Sequence, residues 1–167
     1  MITLRPATVS DTTLIASMHT ISWQHSYRTM LPDSYLDHDI VEERLDYWRA
    51  KMDKSPPLMM TQIAENDEGQ AIGFFCGVWD PDTRMALLDN LHVLPEHQGK
   101  GAGGILMRAF KTWAVEECGA TQFYLFVLEL NKAAIEFYER TGWVLAECFQ
   151  TNLAGADVSS RRYVYHV

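Results

Sequence analysis

Apolar residues recur at helix and strand periods in turn along this chain, and the changes of period predict its elements. Residues 2–7 read as a first strand. A helix follows, capped by Ser10 or Asp11, with Leu14, Met18 and Ile21 on one face. Pro32 interrupts it, a second helical stretch covers about 33–53 with apolar points at Ile40, Leu45 and Trp48, and Pro56-Pro57 ends that region. The period then shortens. Residues 58–65 and 71–79 are strand-like around the turn Asn66-Asp67-Glu68-Gly69, and a further strand, 85–94, runs into Pro95. A glycine-rich loop opens a helix carrying Leu106, Phe110, Trp113 and Cys118 at helical spacing. Residues 122–128 form an almost unbroken apolar run, as expected of a strand covered on both faces. Asn131 caps a short helix with Ala134, Phe137 and Tyr138 on one side and Gly142 just past its end, and strands at 143–149 and 161–166 close the chain. The order β-α-α-β-β-β-α-β-α-β-β implies a mixed α/β sheet, antiparallel early with a parallel crossover in the middle.

Composition narrows the classes. At 167 residues with 47% hydrophobic and 22% charged, the chain suits one globular domain over 1–167, with neither repeat nor linker to divide it. The net charge of −8 argues against a nucleic-acid partner and suits a cationic small substrate. No stretch approaches the roughly 20 apolar residues of a membrane span. The amino terminus lacks the layout of a secretion signal, so a cytoplasmic protein without a membrane partner is expected. Cys76, Cys118 and Cys148 are widely spaced and read as small buried hydrophobes, and His25, His38 and His97 lack metal-ligand spacing, so no metal is expected.

The informative segment is Leu91-His92-Val93-Leu94-Pro95-Glu96-His97-Gln98-Gly99-Lys100-Gly101-Ala102-Gly103-Gly104. A strand leads through a short turn into a helix whose first turn is nearly bare of side chains. Helix N-termini expose unpaired N–H groups and a partial positive charge, and glycine lets a bulky diphosphate approach them. Lys100 adds a charge at the rim. A nucleotide-triphosphate loop would need Ser or Thr after its lysine, where Gly101 stands; a dinucleotide fingerprint is matched loosely by Gly99, Gly101 and Gly104 but sits late in the element order. A glycine-rich turn without a ligand is the remaining alternative.

This segment resembles the acetyl-CoA motif of the GNAT superfamily of N-acetyltransferases: Gln98-x-x-Gly101-x-Gly103 after Leu91-x-Val93-x-Pro95. A second block, Asn131-x-x-Ala134-x-x-Phe137-Tyr138-x-x-x-Gly142-Trp143, resembles the family as well. The resemblance implies a mostly antiparallel sheet with a splayed middle pair and helices on both faces. It implies acetyl-CoA as co-substrate, bound by Leu91, Val93, Leu94, Gln98, Gly99, Lys100, Gly101, Ala102, Gly103, Gly104, Asn131, Ala134 and Tyr138. It further implies transfer of the acetyl group to an amine of a small molecule or peptide by direct attack in a ternary complex. The Val93 N–H would bind the thioester carbonyl, Tyr138 would reach the sulfur, and Trp23, Tyr27 and Tyr35 would wall the acceptor site.

The sequence departs from the family where many relatives carry a glutamate base, because Leu87 stands there. Asp89 is the substitute: strand alternation puts it on the side of Leu87, Leu91 and Val93, with Asn90 and His92 on the other. Loss of that glutamate also leaves open a non-catalytic acyl-CoA sensor. Edge strands near the C-terminus leave room for a homodimer.

Overall fold

The computed structural model describes residues 1–54 and 58–167; the helix stop expected at Pro56-Pro57 lies outside them. Seven strands form one sheet in the order β1-β2-β3-β4-β5-β7-β6. They are β1 (Thr3–Pro6), β2 (Met59–Glu65), β3 (Ala71–Asp80), β4 (Met85–Val93), β5 (Gln122–Leu128), β6 (Val144–Leu153) and β7 (Ala156–His166). All neighbours are antiparallel except β4 and β5, which the crossover helix α3 (Ala102–Thr112) joins in parallel. The other helices are α1 (Thr12–Ser26), α2 (Ile40–Met52) and α4 (Lys132–Arg140).

Alternation along β3 divides the core in two. Phe74 and Cys76 pack with Ile15, Met18 and Trp48 of α1 and α2, while Phe75 packs with Leu106, Phe110 and Trp113 on the opposite face. Gly77 marks the closest approach of the two layers, since a Cβ there would lie 2.5 Å from the Trp113 ring. Among the described residues no helix is long and apolar enough to cross a membrane.

Four details differ from expectation. In α1, Leu14 and Ile21 are exposed, and the buried stripe runs through Ile15, Ala16, Met18 and His19, because His19 finds a partner in Trp48 Nε1 at 3.0 Å and is tolerated inside. Neither Ser10 nor Asp11 caps that helix with its side chain. The Asp11 carboxylate instead accepts bonds from Arg5 at 2.9 Å and from the Thr8 N–H at 2.8 Å. The strands β6 and β7 extend to a two-residue turn at Ala154 and Gly155, both at positive φ, through polar sequence with no strand-like alternation. Cys148 is exposed, because β6 is an edge strand with an open outer side.

Candidate active site

Strands β4 and β5 pair only through Met85–Leu87 and Gln122–Tyr124. Beyond that point β4 stays with β3 and β5 stays with β7, so a gap opens in mid-sheet. Leu94 N–H bonds the Ile72 carbonyl at 2.8 Å. Successive residues of a strand present their N–H groups to opposite edges, so the Val93 N–H faces the gap. Its carbonyl, on the same edge, accepts from Gln98 Nε2 at 3.1 Å, which ties the glycine loop to the end of the strand.

A bulge re-aims the middle of β4. Cys76 pairs with Asn90 and Gly77 with Leu88, so Asp89 is an extra residue opposite one step of β3. Directly paired residues share a face. Leu91 and Val93, opposite Phe75 and Gly73, therefore face α3, whereas Asn90 and His92, opposite Cys76 and Phe74, face α1 and α2. Asp89 also turns to the α2 side, where Tyr47 donates to its Oδ2 at 3.0 Å and Lys51 Nζ lies 2.5 Å away. The alternation expected from sequence fails here: Asp89 shares its face with Asn90 and His92, not with Leu91 and Val93.

At the far end of β4, Gly99 and Gly101 adopt φ of +76° and +92°, and a Cβ on either would meet nothing within 4 Å. Gly101 is the N-cap of α3 and offers no capping side chain; the first bond back to it is Ile105 N–H to its carbonyl at 3.2 Å. The N–H groups of Ala102, Gly103 and Gly104 at the start of α3 therefore precede the first intrahelical bond. Lys100 is exposed beside them. This open, uncapped terminus fits a diphosphate: donors converge, no side chain intrudes, and Gly103 packs closely on Phe137 of α4.

A cavity of about 540 Å³ fills the gap. Its lining divides by element into two arms: Leu91, Val93, Gln98, Asn131, Ala134 and Tyr138 come from β4, the loop after it and α4, and Ser22, Trp23, Tyr27, Met30, Phe126 and Leu153 come from α1, the segment after it, β5 and β6. Asn131 caps α4 by accepting from Ala134 N–H at 3.4 Å. The Tyr138 side chain is buried at the junction, its hydroxyl in no hydrogen bond among the described residues, and burial holds its phenol well above its ordinary pKa. Trp23 and Tyr27 meet in the second arm with ring centres 5.2 Å apart and planes tilted by 47°, and burial pushes the Tyr27 phenol up to about 12. Tyr35, expected to wall the same site, is not in the cavity lining: it is buried in the cluster of Leu31, Leu36 and Ile40 against which Trp23 and Tyr27 pack, with its hydroxyl on Glu43 at 2.7 Å. Of the glycine loop, only Gln98 lines the cavity; the bare turn continues from its edge.

No motif marks Ser22, yet it joins Asn90 and His92, which strand alternation places on the side away from Leu91 and Val93. Ser22 Oγ lies 2.8 Å from His92 Nδ1, His92 Nε2 lies 3.4 Å from Asn90 Oδ1, and Asn90 Nδ2 donates to Asp89 Oδ2 at 3.2 Å. One tautomer satisfies the whole chain: Ser22 donates to Nδ1, and Nε2–H donates to Asn90. His19 stacks on His92 with ring centres 4.6 Å apart. Burial holds His19 well below its ordinary pKa and pushes His92 down to about 4, so both rings are neutral near pH 7. Helical spacing put Ser22 on α1, but nothing local marked its partner 70 residues away.

Comparison with known proteins agrees with this geometry. The chain is 28% identical over 142 residues to YuaI, an N-acetyltransferase of Bacillus subtilis, covering 83% of this chain and 78% of that protein. Its fold matches the PaiA N-acetyltransferase of Thermoplasma acidophilum, solved in complex with coenzyme A, with a TM-score of 0.81 at 19% identity over 100% of this chain and 99% of that one. The spermidine/spermine N-acetyltransferase SpeG of Vibrio cholerae matches with a TM-score of 0.72 at 21% identity, over 99% of this chain and 92% of the other. Residues 20–143 match the acetyltransferase (GNAT) family as a whole. With its two motifs, its parted strands and a family match over most of its length, the chain belongs to the GNAT family of acetyltransferases and is an N-acetyltransferase.

Proposed function

We propose that the protein moves the acetyl group of acetyl-CoA to an amine of a small molecule by direct attack in a ternary complex. The observation that supports this reading is that one strand, β4, links a free N–H in the mid-sheet gap to an uncapped glycine helix terminus at its end. A thioester carbonyl at Val93 and a diphosphate at Gly99–Gly104 would then belong to one extended molecule, with its arm beside Leu91 and Val93 and against Asn131 and Ala134, whereas Leu94, expected to join them, packs on the α1 and α2 side outside the cavity lining. Donors already fixed in place stabilise charge on the carbonyl oxygen without reorganising.

No thiol nucleophile is available to this reaction. Among the described residues no cysteine lines the cavity, and burial pushes the Cys76 thiol up to about 12. The amine attacks directly. Tyr138 meets the departing sulfur with a hydrogen bond rather than a full proton, since its raised phenol is a weaker acid than a thiol near 8.5.

Asp89 serves as an anchor rather than as the free base. Its Oδ2 already takes Tyr47, Lys51 and Asn90, and it fixes the His92 tautomer through Asn90. The proton takes the Ser22 route: as the N–C bond forms and the C–S bond breaks, the amine proton passes to Ser22 Oγ while the Ser22 proton passes to His92 Nδ1. His92 is too weak a base for a resting alkylammonium near 10, so the acceptor must enter as the neutral amine.

Calorimetric titration with CoA, then mass spectrometry of the amine after incubation with acetyl-CoA, tests this reading. Saturable heat, an N-acetyl product and an unmodified protein mass are expected. Binding without any acetylated amine would favour a sensor, and an acetylated protein intermediate would refute direct attack.

A further inference from the structure

The charge of the whole chain suits a cationic acceptor, but the acceptor arm itself does not. Among the described residues lining the cavity, Asp89 is the one carboxylate, and Lys51, Tyr47 and Asn90 already hold it. The aromatic face that would suit an ammonium is also taken: the Arg44 guanidinium sits 4.7 Å from the Trp23 ring centre and 4.4 Å from that of Tyr47, and its own charge is met by Glu43 at 2.6 Å. The wall behind the arm is thus closed into neutral pairs. A smaller neighbouring cavity of about 360 Å³ carries Glu129 and Asp157; Arg161 holds Glu129 at 3.1 Å, while Asp157, bonded by the neutral Asn152 amide at 3.1 Å, keeps its charge but does not line the arm.

Beside its polar groups, which include His25 and Ser26 next to Ser22, the arm also offers apolar surface. Trp23, Tyr27, Met30, Phe126, Leu130 and Leu153 surround it, and Phe126 and Leu130 are half exposed or more at its mouth. Large apolar side chains left open around a concave site mark where an apolar ligand goes. Among those polar groups Ser22 and His92 form the hydrogen-bonded pair at which a single amine would lose its proton.

We propose that the acceptor is a monoamine carried on an aromatic or apolar body, and that polyamines are poor acceptors. This rests on the acetyl-transfer reading of the cavity. A ring on the amine covers Phe126, Tyr27 and Leu153, whereas the second ammonium of a polyamine would lie in the arm with no free anion and lose hydration without return. The spermidine/spermine enzyme SpeG shares the fold, so on this view the fold is kept while the acceptor differs.

The test compares kcat/KM for 2-phenylethylamine, n-butylamine and spermidine at one acetyl-CoA concentration, with CoA binding measured separately by calorimetry. The expected order places 2-phenylethylamine at least about tenfold above both others. Leu130→Glu, at an exposed position on the cavity mouth, is expected to narrow the gap to spermidine by supplying the missing anion. Spermidine turned over by the wild type as fast as 2-phenylethylamine would overturn the proposal. So would acetylation of none of the three amines by a protein that binds CoA. Absence of saturable CoA heat would instead overturn the function on which the proposal rests.

Discussion

Gly101 separates what the glycine loop needs for folding from what it needs for binding. Its φ is +92°, and a Cβ there would touch nothing within 4 Å, so any substitution carries the left-handed cost and no clash. That cost is about 1–2 kcal/mol, equivalent to about 2–8 °C in Tm at this chain length. Gly101→Ala, Gly101→Gln and Gly101→Glu should all show it alike. Only the glutamate adds a charge at the mouth of α3. Two like unit charges about 6 Å apart repel by about 3 kcal/mol at an effective dielectric near 20, and by about 0.7 kcal/mol in bulk water. CoA should therefore bind Gly101→Glu about 3- to 100-fold more weakly than Gly101→Gln, a side chain of the same size. Titration calorimetry with CoA on all three variants, at low and at high salt, measures the difference. Raising the salt should shrink it, because the position is exposed and screened. Equal Kd values for the Glu and Gln variants at both salt levels would refute an anion site at this terminus.

Three further expectations follow from the site and the core. Ser22→Ala should lower kcat about 100-fold, and Ser22→Ala with His92→Gln should be no worse than the poorer single variant; additive losses in steady-state kinetics would dismiss a shared proton route. Tyr138→Phe should lower kcat about tenfold with KM changed less than about twofold, and an unchanged kcat would remove its hydroxyl from the chemistry. Burial pushes His92 down to about 4 against an ordinary 6.5, with Asp89 favouring and Arg44 disfavouring its charge. The unfolded chain then binds protons first, so the stability from the neutral ring is full above about 6.5 and lost as pH falls toward 4. Urea unfolding should show a loss between pH 7.5 and pH 5 of up to about 2 kcal/mol from His92. The loss should be smaller in His92→Gln, and a wild type equally stable at both pH values would contradict the burial argument.

What the chain encodes within short stretches was legible without coordinates. The bare glycine turn, the Asn131 cap, Gly142 past the end of α4 and the extended run of β5 each depend on residues only a few positions apart, although Phe126 is half exposed on a strand expected to be covered on both faces. The order of elements and the diphosphate terminus follow from them. The direction of side chains on β4 did not, because it depends on how many residues of β3 stand opposite. One unpaired residue, Asp89, resets the alternation and delivers His92 to the cavity. The place of Tyr35 was no more legible: it begins a π-helical turn at Tyr35–Asp39 before α2 and bonds Glu43, so it packs behind Trp23 and Tyr27 without lining the cavity. The bonds from Lys51 to Asp89 and from Ser22 to His92 join distant segments across a packed layer. No local propensity specifies such pairs; only the closing of α1 and α2 over the sheet brings their atoms together, and with them the chemistry of the acceptor site.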